Sequence, residues 1–169
     1  MIKIKNNKRG QIAGEIFIYI LAVIVIGGIA LVGYKAIGGI VTKTCQAEKA
    51  TFNNDIASMI ERYNSYGSVN IKSIKVPCDY NTICFVDTSI IGNASFGCIE
   101  SNIIRDSVTN SIEQNIFVLS DKSTIPIGYS DIISLGDTNR NKCLCIEERN
   151  KKFYITFSGK GSVTEISKG

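Results

Sequence analysis

From Ile16 to Tyr34 the chain runs for 19 residues without a charge. A helix rises about 1.5 Å per residue and about 20 apolar residues cross the hydrocarbon core of a bilayer, so this run predicts one transmembrane helix. A core helix of a soluble domain keeps a polar stripe, whereas this run is apolar on every side. Small residues recur at Gly27, Ala30, Gly33, Ala36 and Gly39. They permit close helix packing, but their spacing of three drifts around the helix and makes no single GxxxG face.

The span is preceded by a basic leader, Lys3, Lys5, Lys8 and Arg9, which ends at Gly10, and one acid, Glu15, stands at the start of the apolar run. A secretory signal is cut beyond its apolar region, after small residues, and the stretch after Tyr34 offers only a weak site of that kind. A cut before the span would leave the helix in the product. The order Lys8-Arg9-Gly10, then Gln11, then Glu15, then a span resembles the class III signal peptide of archaeal type IV pilins. That resemblance implies a prepilin-type peptidase that cuts after Gly10, leaving Gln11 first and Glu15 fifth. It also implies that the N-terminal helix joins like or related pilin subunits, with Glu15 serving assembly. Ala13 departs from the family, which often has serine there. The resemblance covers about the first 35 residues.

Charge reports orientation. The chain has 19 basic and 15 acidic residues, and without the four basic leader residues the two counts are equal. The basic balance therefore belongs to the leader, and no nucleic-acid-binding surface is implied. Lys and Arg beside a span stay on the cytoplasmic side, so a single-pass membrane protein with an external C-terminal domain is expected. Lys35 on the other flank is a lone residue that can snorkel to the interface.

Beyond the span, Val41, Cys45, Phe52, Ile56, Met59, Ile60 and Tyr63 recur at helical intervals, and Asn64-Ser65-Tyr66-Gly67 supplies a stop. From Ser68 the texture changes to short runs of Ile, Val, Phe and Tyr between turn residues. Strands are expected near Val69 to Val76, Ile83 to Val86, Asn115 to Leu119, part of Ile125 to Leu135, Cys143 to Glu147, Phe153 to Phe157 and Val163 to Ile166. A short helix is expected over Asn102 to Gln114, and the strands flanking Arg149-Asn150-Lys151-Lys152 are expected to form a hairpin. The expected organisation is a leader over 1–10, a transmembrane helix over 11–41, its external continuation over 42–66 and a β-rich head over 67–169. The fold class is α+β.

Six cysteines, Cys45, Cys78, Cys84, Cys98, Cys143 and Cys145, fall on the expected external side. An even number in an oxidising compartment favours disulfides, and six residues allow 15 pairings. Cys143 and Cys145 alternate on a strand, are expected to point to opposite faces, and so should not pair with each other. Cys78 and Cys84 bracket Asp79-Tyr80-Asn81, a turn that would bring them together. A zinc site is disfavoured, since the chain has no His and no C-x-x-C spacing.

Other chemical signals are sparse. Asp137, Asn139, Asn141 and Glu148 occupy ligand positions of an EF-hand calcium loop, but Lys142 replaces its central glycine and strand residues replace its exiting helix. A polar turn is the better reading. Asn93-Ala94-Ser95 is an N-glycosylation sequon. Without histidine a Ser-His-Asp triad is impossible, and Gly159-Lys160-Gly161-Ser162 reads as a turn between strands. No catalytic constellation and no cofactor are expected. Two functions remain, a pilin-like filament subunit and a non-polymerising anchored head that binds a ligand or surface.

Overall fold

The structure, a computed structural model, describes residues 9–91, 101–136 and 142–169, with side chains from residue 16 on. One long helix, α1, spans Arg9–Arg62. Among the described residues eight strands follow, β1 Val69–Lys75, β2 Tyr80–Val86, β3 Ile116–Ser120, β4 Thr124–Gly128, β5 Ile133–Ser134, β6 Cys143–Glu147, β7 Lys152–Gly159 and β8 Thr164–Lys168. A 3-10 helix, Thr88–Ile90, and a short helix, α2 Asn102–Thr109, lie between β2 and β3. A long apolar N-terminal helix before a small β-sheet domain is the expected α+β class. The chain divides into two units at the Thr44–Cys45 junction, and each is taken by itself.

In the first unit the apolar side chains from Ile16 to Val41 are all exposed. The hydroxyls of Thr42 and Thr44 donate to the carbonyls of Gly38 and Ile40, so the polar groups of this last turn are satisfied within the helix.

The second unit begins with the last turns of α1. Phe52, Ile56 and Ile60, four residues apart, form one stripe and are buried. Helix α1 ends where Ser68 Oγ donates to the carbonyls of Tyr63 and Ser65 and Gly67 takes φ +79°. Gly159 is required beside this corner, because a Cβ there would lie 1.9 Å from the Ser65 carbonyl oxygen.

The strands make two four-stranded sheets, ordered β1-β7-β8-β5 and β4-β3-β2-β6. All pairings are antiparallel except β5 with β8. The main core joins the α1 stripe to Phe153, Ile155 and Phe157 of β7 and to Ile83 and Phe85 of β2. A second cluster sets Ile104 and Val108 of α2 against Cys84 and Val86 of β2 and Phe117 of β3. Successive β2 side chains thus enter opposite cores, which explains why that strand reads as a continuous apolar run.

Three local expectations are corrected. The β6–β7 hairpin does not form as a ladder. Arg149 and Lys152 close a two-residue turn with Asn150 and Lys151 at φ +54° and +59°, but the strands then diverge into different sheets. Strand β6 pairs with β2, where Ile146 joins the main core opposite Ile83, and β7 pairs with β1 and β8. Helix α2 ends at Thr109 instead of Gln114, because Asn110 caps it and Ser111 takes φ +55°. Strand β1 stops at Lys75, one residue short, before the buried Val76 and Pro77.

Candidate functional site

The first candidate is the N-terminal helix. By length and composition it is the one helix among the described residues able to cross a membrane. Each large apolar residue from Ile16 to Leu21 leaves half or more of its surface uncovered. Soluble monomers rarely expose contiguous apolar surface of more than a few hundred Å², so a surface of this kind calls for lipid or other helices. Arg9, Gly10, Gln11 and Glu15 lie in the backbone of α1. Lys8, the first residue of the expected processing signal, lies outside the described residues.

The second feature is the set of disulfides. Cys45, on α1, bonds Cys78, just after β1, with 5.9 Å between their Cα atoms. Cys84 bonds Cys145, its direct partner in the β2–β6 register. The expected link of Cys78 with Cys84 is therefore wrong. Tyr80 buries its ring and starts β2, so the chain from Tyr80 to Cys84 is extended and does not turn back. Cys84 also faces the α2 cluster, while α1 packs into the other core. Cys143 is disulfide-bonded too. It and Cys145, two residues apart on β6, pack against the same cluster and not on opposite faces as expected, because strand side chains repeat with a period of two. No described cysteine is free, and Cys98 lies outside the described residues.

Charged groups close in around the first bridge. Lys49 pairs with Asp79 at 3.2 Å and lies 4.9 Å from the centre of the Tyr80 ring, and Lys75 pairs with Glu48 at 2.7 Å. Burial pushes the Tyr80 phenol above its ordinary range; Lys49 opposes that rise and Asp79 adds to it. The sulfurs of Cys45 and Cys78 lie close to a carboxylate oxygen of Asp79, but bonded to each other they offer no thiolate to a metal.

Three buried polar side chains, which strand and helix periodicity does not flag, hold the head's connections. Asp87 accepts from the amide and hydroxyl of Ser89 and from the Leu135 amide, with Lys142 Nζ at 3.6 Å. Burial alone would raise its pKa, but these bonds and the Lys142 charge outweigh it and hold the carboxyl below its ordinary value. The signal for it was Asp-Thr-Ser directly after an apolar strand, a helix-cap pattern. Asn115 is fully buried, and its amide donates to the Ser130 carbonyl at 2.7 Å and accepts from the Ser130 N–H at 2.9 Å. Thr164 donates to the Ile60 carbonyl on α1 at 2.6 Å.

The clamp at Ser130 forms one wall of a cavity of about 150 Å³. Asn53, Ala57 and Glu61, one face of α1, form the opposite wall, and Ile56, Ile116 and Ile127 contribute the apolar floor. Among the other sequence candidates, Glu148 Oε1 pairs with Lys151 at 3.0 Å. Asp137, Asn139 and Asn141, with which it was grouped for calcium, lie outside the described residues, as does the glycosylation candidate Asn93. Lys142, at the glycine position of that loop, takes φ +50° and donates to the Gly136 carbonyl. Compared with known proteins, the chain matches no family model, no curated protein and no solved structure.

Proposed function

We propose that this chain is a pilin-like structural subunit of an archaeal cell-surface type IV-type filament, made as a precursor and cut after Gly10 by a prepilin-type peptidase. The observation that carries this reading is the order Lys8-Arg9-Gly10-Gln11, Glu15 and then an uncharged run. Support also comes from the uncovered apolar side chains between Ile16 and Val41, which suit a helix that moves from lipid to contact with like helices. Before cutting, the four basic residues hold the N-terminus in the cytoplasm and the helix spans the cell membrane. The disulfides suit a head placed outside, where the compartment is oxidising.

Within this reading Glu15 pairs with the new amine of Gln11 on a neighbouring subunit. A carboxylate in an apolar helix costs up to about 3 kcal/mol near the bilayer centre and less towards its edge, so a partner cation there is favourable. The test is Glu15→Gln, which keeps size and insertion but removes the charge. Membranes should accumulate the variant, cut at Gly10, and electron microscopy should find no filaments containing it; filaments of ordinary number and length would contradict the pairing. The cavity favours a second reading, an anchored head that binds a ligand and never polymerises. Cells that express the native chain and display no filament containing it would select that reading.

A further inference from the structure

Of the two bridges between described residues, the one joining Cys45 and Cys78 is the accessible one. Cys78 is exposed and Cys45 half-buried, whereas Cys84 of the other bridge has no exposed surface. Exposed disulfides are the labile ones, because an attacking thiolate reaches them. The Tyr80 N–H donates to the Pro77 carbonyl at 3.2 Å, so Cys78 and Asp79 are the two central residues of a turn, and both are exposed. The sulfurs of Cys45 and Cys78 and a carboxylate oxygen of Asp79 all lie within 4.8 Å of one another.

Once the bridge is open, these three groups have the make-up of a metal site. Zinc takes thiolates at about 2.3 Å and carboxylate oxygens at about 2.1 Å, which sets two sulfurs on one tetrahedral ion about 3.8 Å apart. The Cα atoms of Cys45 and Cys78, 5.9 Å apart, leave room for that separation by side-chain rotation alone. Lys49, one helical turn beyond Cys45, holds the Asp79 carboxylate at 3.2 Å. When the carboxylate turns to an ion, the Lys49 ammonium keeps the face of the Tyr80 ring, 4.9 Å from its centre. Two thiolates, one carboxylate and a water complete a four-coordinate shell.

The geometry points to a reduction-gated site for a thiophilic divalent cation of the zinc class, bound by the sulfurs of Cys45 and Cys78 and one oxygen of Asp79. A dithiol reductant opens it. One thiolate of the reductant attacks Cys78 Sγ and expels the Cys45 thiolate; its second thiol then attacks the mixed disulfide, frees the Cys78 sulfur and leaves as a cyclic disulfide. Two electrons pass to the bridge, and the two protons taken up by Cys45 and Cys78 are released when the ion binds. The ion then replaces the bridge as the tie between α1 and the end of β1. The site uses residues of the head alone and does not rest on the filament reading.

The test takes the full chain in maltoside micelles, treats it briefly with dithiothreitol, removes the reductant without air and titrates with cadmium, a zinc stand-in whose thiolate complexes absorb in the ultraviolet. Alkylation and peptide mapping of an aliquot should find Cys45 and Cys78 as thiols while Cys84 and Cys145 stay bonded. Cadmium should bind the treated chain with a thiolate band, and the untreated chain should show none. Asp79→Asn, an exposed substitution that leaves both bridges intact, should weaken binding at least about tenfold, and Cys45→Ser/Cys78→Ser should remove the band. Opening of Cys84–Cys145 first, no band in the treated chain, a band in the untreated chain or in the double variant, or undiminished binding by Asp79→Asn would each overturn the assignment.

Discussion

Asp87 stands at the point where β2 hands over to the 3-10 helix and Leu135 closes against it. Its carboxyl is held below the ordinary value, so in the interval between the folded and unfolded pKa values the unfolded chain binds more protons. The stability it contributes is complete above the unfolded value, near pH 4, and is lost as pH falls through the folded one. Asp87→Asn should cost about 1.5 to 3 kcal/mol at neutral pH, the worth of hydrogen bonds to a charged group, and should flatten the acid limb of a urea-stability profile. An unchanged acid limb would show that other carboxylates govern it. Gly159→Ala drives a methyl into the carbonyls of Ser65 and Tyr63 and should lower stability by about 3 kcal/mol, read from the urea midpoint. Residues of this kind are hard to read in a sequence, because what they touch lies far along the chain. Gly159 reads only as a turn glycine, and Thr164 as one strand residue among many, until Ile60 is beside it.

At the level of elements, local signals and long-range ones separate cleanly. The long helix, α2 and the strand segments were legible, since each announces itself through a period or a cluster of β-branched and aromatic residues. Partners were not. The turn at Arg149 to Lys152 is real, yet β6 and β7 belong to different sheets, because β2 needs a neighbour for Ile83 and Cys84 on the side away from β3. The same limit hid the pairing of Cys45 with Cys78 across 33 residues. In the chain-entropy picture a loop of that length makes the bond worth about 4 kcal/mol. Its removal should also act locally. In Cys45→Ser/Cys78→Ser, amide exchange should quicken over 45–51, where the bridge and two ion pairs tie α1 to the end of β1, while β2 and β7 stay protected. Uniform loss of protection would mean that this bridge supports the whole head.

Across the whole molecule, the chain divides at Thr44–Cys45 into a unit whose apolar side chains are exposed and a unit with a buried core. A fragment 45–169 retains both described bridges and the buried face of α1. It should be soluble without detergent and unfold in one transition, whereas the full chain should need lipid or detergent; a fragment that aggregates unless detergent is present would contradict the division. The proposed function rests on the other unit and on the few residues before it. The measurement that reaches the filament reading most directly is the mass of the N-terminal peptide of the protein taken from native cells. A chain beginning at Gln11 is the predicted result, and a chain still carrying Lys8, Arg9 and Gly10 would contradict it.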